Sequence, residues 1–192
     1  DFIRAGNVHG SMEAFEGDWI LSYHRMAQGF KRFTRCMNMD RLTFGRGGEI
    51  IPVIRTSSGV KGAFATGELI YAASACWFAG GRDDDRFLIP GRKPPLALNG
   101  FACVSLKENA VGFRYVAADS VSEIEIWYRN KCDSRIRLEV GSWAAELTLP
   151  DSYYEWRSAR LGIAPPDGKA EVRFSLLNGN DCSLYALRMI RK

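Results

Sequence analysis

The chain has 192 residues, 46% hydrophobic and 25% charged, which is the balance of a folded protein with enough apolar material for a real core. Its 26 Lys and Arg interleave with 22 Asp and Glu for a net charge of +4, without the concentrated basic stripe of a nucleic-acid binder. No run reaches the ~18 apolar residues of a membrane span, so neither nucleic acid nor membrane is expected as a partner.

The N-terminus shows no charged segment followed by an apolar one, but the chain opens at Asp1 rather than Met. A trimmed or incomplete sequence is therefore expected, and the missing leader pattern says little about location. The five cysteines, Cys36, Cys76, Cys103, Cys132 and Cys182, are widely and irregularly spaced. With no C-x-x-C pair and only His9 and His24 to assist, a zinc site is not expected. Most of these thiols are expected to act as buried small hydrophobes.

Nearly all the patterning is β. Met12–Phe15 and Trp19–His24 flank Glu16-Gly17-Asp18 and predict a hairpin. Arg35–Phe44 predicts a third strand, Gly45–Gly48 a tight turn, and Glu49–Ile54 a fourth strand that Pro52 confines to an edge or an end. Arg55–Gly67 is rich in Ser, Thr and Gly and reads as a linker. Beyond it, Glu123–Tyr128, Arg135–Val140 and Lys169–Leu176 alternate with the two-residue period of half-buried strands. Turn clusters at Asn130–Asp133, Pro165–Gly168 and Asn178–Asp181 separate them, the pattern of a sandwich or jelly roll. Arg82–Arg86 and Gly91–Pro95 read as polar loops, and no helix of three turns is predicted. Residues 1–60 offer only three or four strands, and so small a sheet needs neighbours to cover its faces. One blade of a propeller, a four-stranded sheet packed on adjacent blades, meets that need.

The front segment also carries an ordered series of short motifs. Asn7-Val8-His9-Gly10-Ser11 precedes Gly17-Asp18-Trp19 and Tyr23-His24. Then come Arg35, Asp40, Leu42 and Phe44, followed by Gly48-Glu49-Ile50-Ile51-Pro52-Val53 and a closing Thr56, Gly59 and Val60. Over residues 6–60 this resembles the last blade of glycoside hydrolase family 43, mainly β-xylosidases and α-L-arabinofuranosidases. The family pattern runs N-N-H-x-S, a turn with Gly and Trp, Y-H, R-x-x-x-x-D-x-L-x-F, G-x-I-x-P-V and G-V.

The resemblance implies a five-bladed propeller whose sugar site lies at the central axis. It also implies an inverting reaction, in which one carboxylate activates water and a carboxylic acid protonates the leaving oxygen, roughly 6.5–9.5 Å away. In that family the catalytic carboxylates come from earlier blades, so this chain alone is expected to be inactive and to need the missing N-terminal blades as partners. It implies accessory roles for two residues here. His9 matches a pocket-floor histidine that contacts a central calcium directly or through water, and Arg35 matches an arginine that reaches substrate or the catalytic carboxylates. Val8 departs from the usual Asn, which removes or alters one polar contact to the sugar. His24, Arg25, Trp19 and Tyr23 read as framework.

Residues 61–192 resemble the galactose-binding-like jelly roll of carbohydrate-binding module family 6. The resemblance rests on Ile70–Ala73, Phe113–Val116, Arg135–Leu149, Tyr153–Trp156 and Ser183–Tyr185. It implies a sugar stacked on an exposed aromatic platform, with Tyr153 as platform, Phe113 as the opposing ring and Trp156 as buried framework. Three departures stand against it. Ser183 falls where the family has an Asn ligand, Ala73 where it has a Glu helping to hold structural calcium, and the platform is Tyr instead of Trp.

The expected fold is therefore all-β: a final propeller blade in residues 1–60, then a β-sandwich in residues 61–192. The expected function is part of a glycoside hydrolase acting on xylan, arabinan or arabinoxylan, with an oligo- or polysaccharide as partner and calcium as a candidate cofactor. Secreted or periplasmic location is favoured over cytoplasmic. The alternatives are a stand-alone or degenerate carbohydrate-binding module capped by a blade remnant, and a non-enzymatic interaction domain.

Overall fold

The computed structural model describes residues 10–26, 35–79, 88–89, 103–106, 110–178 and 182–191. The chain begins with an antiparallel three-stranded sheet in the order β1 (Gly10–Phe15), β2 (Asp18–Met26) and β3 (Arg35–Leu42). Glu16 and Gly17 turn the hairpin, both at positive φ, the pairing that matches the twist of two-residue hairpins. Cross-strand partners place Trp19, Leu21 and Tyr23 on the face shared with Leu42, Asp40 and Asn38. The opposite face carries Met37, 73% exposed, and Met39; Phe15, at the end of β1, is 61% exposed. The fourth strand expected over Glu49–Ile54 does not form. Only an isolated bridge, Phe44 to Ile50, follows the Gly45–Gly48 turn. Pro52 has no amide to continue a ladder, so this part has three strands among the described residues.

The Ser- and Gly-rich stretch expected to be a linker is a strap held at both ends. Asp40, buried in β3, accepts hydrogen bonds from the Tyr23 hydroxyl at 2.7 Å, the Thr56 amide at 3.1 Å and the Thr56 hydroxyl at 2.6 Å. Arg41 pairs with Asp18 and donates to the Val60 carbonyl at 2.8 Å. Further along the strap, the Ser57 and Ser58 amides donate to the Arg114 carbonyl. Phe64 then runs parallel to Val116, exchanging bonds of 2.8 Å and 2.9 Å with Tyr115 and Ala117. Gly59 sits at φ +59, and a Cβ there would stand 2.9 Å from the Met39 carbonyl oxygen. Gly59→Ala is therefore expected to cost about 1–2 kcal/mol through the left-handed backbone alone, with the clash adding to it. Chemical denaturation of the variant checks this.

The rest is a β-sandwich. One sheet runs β11 (Trp143–Leu149), β10 (Ser134–Val140), β13 (Lys169–Asn178), β8 (Ala110–Ala117) and β5 (Trp77–Ala79). The other runs β12 (Arg157–Gly162), β9 (Val121–Asn130), β14 (Cys182–Arg191), β7 (Cys103–Ser105) and β6 (Leu88–Ile89), with β4 (Ile70–Tyr71) pairing β14. The alternation read in β9, β10 and β13 is realised: Ile124, Ile126, Ile136, Leu138, Val172 and Phe174 all point into one core between the sheets. Two short 3-10 turns, Gly59–Lys61 and Ala72–Ser74, are the helical elements among the described residues. Cys76 and Cys182 are buried as expected, whereas Cys132 is exposed in the β9–β10 turn. The loops expected at Arg82–Arg86 and Gly91–Pro95 lie outside the described residues.

Candidate functional site

At one end of the sandwich the loop between β11 and β12 lifts Tyr153 into solvent, 76% exposed, with Tyr154 beside it and also exposed. Both tyrosines have left-handed backbone, φ 52 and φ 62, a conformation that costs non-glycine residues energy and persists only where the surroundings impose it. The imposing element is Asn130 at the end of β9, fully buried. Its side chain donates to the Leu149 carbonyl at 3.1 Å and the Ser134 hydroxyl at 3.2 Å, and accepts from the Ser152 amide at 2.8 Å. Ser152 Oγ accepts from the Asn130 amide at 2.8 Å, and the Tyr154 amide donates to the Asn130 carbonyl at 2.9 Å.

A second chain of bonds links Asp133 to the Asp151 amide at 2.8 Å and Asp151 to the Tyr153 amide at 2.7 Å. The buried Tyr128 hydroxyl donates to the Pro150 carbonyl at 3.1 Å. Burial pushes the Tyr128 phenol above its ordinary range, which keeps it a donor at neutral pH. The loop is thus preorganised: the ring of Tyr153 is exposed while its backbone is fixed. Lys131 stands over the Tyr154 ring at 6.0 Å, adding a cation at the rim.

The sequence-predicted residues divide. Tyr153 is exposed, as a platform aromatic has to be. Phe113 does not oppose it: Phe113 is 0% exposed on β8, edge-on to Phe174 at 6.2 Å in the core. A ring with no exposed face cannot stack on a sugar, so Phe113 is a core residue. Trp156, expected to be buried framework, is half-buried, packed on Tyr185 at 5.5 Å with the Arg129 guanidinium 5.1 Å from its ring. Ser183 is buried in β14. Arg35 opens β3 opposite Met26, and His9 lies outside the described residues. Tyr154, Lys131 and Asn130 were not singled out from sequence. The available signal was Pro150-Asp151-Ser152, a turn signature directly before two aromatics.

Calcium is poorly served by what is described. Among the described residues no group of three His, Cys, Asp or Glu side chains could hold a metal. Ala73, at the position implied for a calcium-holding Glu, offers a methyl group at the surface, whereas calcium takes oxygen ligands. The described side chains thus supply no carboxylate cluster for the ion.

No protein-family profile matches the chain. A xylosidase/arabinosidase of Thermoclostridium stercorarium is 24% identical over 201 residues, covering 96% of this chain and 42% of that protein. Among solved structures, a glycoside hydrolase family 43 arabinoxylan arabinofuranohydrolase from Bacillus subtilis, in complex with cellotetraose, superposes with a TM-score of 0.62. It shares 17% identity and covers 97% of this chain and 41% of its own. The chain resembles a family 43 glycoside hydrolase fragment with a family 6-like jelly roll. A module of that second type from Clostridium stercorarium, in complex with cellobiose, superposes along its whole length on 69% of this chain, with a TM-score of 0.55 at 9% identity. The chain spans less than half the length of the xylosidase/arabinosidase and of the arabinofuranohydrolase, each of which it matches along nearly all of its own length. The all-β architecture and jelly roll expected from sequence are those of these relatives.

Proposed function

We propose that this chain is the C-terminal portion of a glycoside hydrolase acting on xylan, arabinan or arabinoxylan, and that its jelly roll holds the polysaccharide on Tyr153. The observation that carries the binding role is the locked loop: an exposed ring on a backbone held by buried hydrogen bonds, on a fold shared with sugar-binding modules. The hydrolase role rests on the likeness to a xylosidase/arabinosidase along nearly the whole chain. Residues 1–60 act as a propeller blade in this reading. The exposed Phe15, Met37 and Ile54 form apolar surface of the kind that a neighbouring blade would cover. His9 serves as pocket-floor histidine and Arg35 as substrate arginine, facing carboxylates supplied by the other blades. Asp40 is no candidate acid or base, because its oxygens are committed to Tyr23 and Thr56.

The test is retention on insoluble arabinoxylan together with hydrolysis of aryl xyloside and arabinofuranoside. The chain is expected to be retained and to show no hydrolysis. Tyr153→Ala is expected to weaken retention at least tenfold, the scale of roughly 1–2 kcal/mol for an aromatic contact, while leaving the melting temperature unchanged. The second reading, a degenerate module that only packs, is favoured by the buried Ser183 and Phe113. It wins if the wild-type chain binds no glycan.

A further inference from the structure

The outer face of the six-stranded sheet carries a row of charge across three strands. Arg160 on β12 and Arg188 on β14 both stand opposite Glu125 on β9. Glu125 is largely buried between them, with Arg160 Nε at 3.4 Å and an Arg188 terminal nitrogen in direct hydrogen bond. The Arg188 guanidinium lies 5.3 Å from the Trp127 ring, and its Nε is enclosed without an acceptor among the described residues. Arg160 keeps 61% of its side-chain surface exposed. Beside this row opens a recess of about 350 Å³, lined by Arg160, Arg188 and Arg191 with Thr66 and Ile190. Arg191 Nε donates to the Asp119 carbonyl at 3.2 Å, and no ion pair holds it among the described residues. The other carboxylate on this face, Glu123, stands one row away opposite Ile190 and does not line the recess.

The recess is thus lined by three guanidinium groups and by no carboxylate among the described residues, and Glu125 pairs with only two of the three. Guanidinium forks match carboxylate geometry with two parallel bonds. The volume lies at the small end of ligand clefts and is larger than a bare anion needs, while Thr66 offers a hydroxyl and Ile190 an apolar wall.

We infer that this recess is a second glycan site that takes an acidic sugar unit, a uronate, with its carboxylate on Arg160 and Arg191 and its ring against Ile190. The sugar part of this inference rests on the glycan-binding reading above. The charge part does not.

The test titrates the full 192-residue chain with a glucuronate-bearing xylo-oligosaccharide, a neutral xylo-oligosaccharide of equal length, and inorganic phosphate, at low and high salt. The acidic oligosaccharide is expected to bind at least tenfold tighter than the neutral one, and the preference is expected to shrink with salt. Arg160→Gln and Arg191→Gln are expected to erase the preference. Both side chains are exposed and Glu125 keeps Arg188, so the fold is retained. Tyr153→Ala is expected to leave the preference intact. Equal affinity for acidic and neutral sugars overturns this site while leaving the Tyr153 platform standing. Acidic binding without neutral binding supports this site and counts against the platform. Phosphate binding as tight as the acidic sugar, or a preference that survives both arginine substitutions, overturns the assignment.

Discussion

Replacing Asn130 with alanine is expected to lower stability by about 2–4 kcal/mol and to abolish glycan retention together with it. The variant leaves the Leu149 carbonyl and the Ser152 amide without their buried partners. An unmet buried group costs on the order of 1–3 kcal/mol. The functional loss has a separate cause. Tyr153 and Tyr154 hold left-handed backbone that their own chemistry disfavours, and Asn130 supplies the over-determination. Without it the loop relaxes and the ring no longer presents one face. Denaturant unfolding and arabinoxylan retention on the same preparation check both parts. Tyr153→Ala supplies the contrast, with binding lost and stability kept. An Asn130→Ala protein that binds normally would show that the loop needs no such lock.

The second large effect is expected at Asp40. Its carboxylate is buried and accepts three hydrogen bonds from two segments. Asp40→Ala is expected to cost about 2–4 kcal/mol, since bonds to a charged acceptor are the stronger kind. For a chain of this size that is a melting-temperature drop of roughly 5–15 °C. Limited proteolysis should localise the damage, with new cleavage between Thr56 and Phe64, where the strap loses its hold. Asp40→Asn keeps an acceptor oxygen for Thr56 and is expected to recover about half of the loss. Cleavage confined to the sandwich loops would argue against this account.

These two residues show what was legible beforehand. The strand alternation in β9, β10 and β13 announced the core, because one face of each sheet packs on the other and the period is two. The ordered motif from Arg35 to Val60 marked the front segment, and the structure shows what part of it does. Asp40, Thr56, Gly59 and Val60 are the joints of the strap. What composition concealed was their bonding. Serine, threonine and glycine spell a loop, and nothing local says whether the loop hangs free or is pinned to a strand more than fifty residues away. The false strand at Glu49–Ile54 arose likewise from apolar content without a partner. Phe113 was misjudged for a different reason. It was assigned by its position in the resemblance, and a positional match does not say which face of β8 points into the core, where Phe113 lies. Tyr153 was assigned by its position in the resemblance, and its exposure agrees with the turn signature directly ahead of it.

The doubly anchored strap also bears on where a usable module would be cut. A recombinant piece starting at residue 61 would keep Phe64 alongside Val116 but would discard Ser57 and Ser58, stripping the Arg114 carbonyl on β8 of both amide donors. The detachable cassette therefore begins no later than Ser57, inside what composition alone would have marked as spare tether. That stretch is hydrogen-bonded on both sides, so the front sheet and the sandwich are joined by more than the chain alone, and rigid coupling between them is the expected result. A glycan gripped by one body would be carried at a fixed bearing relative to the other.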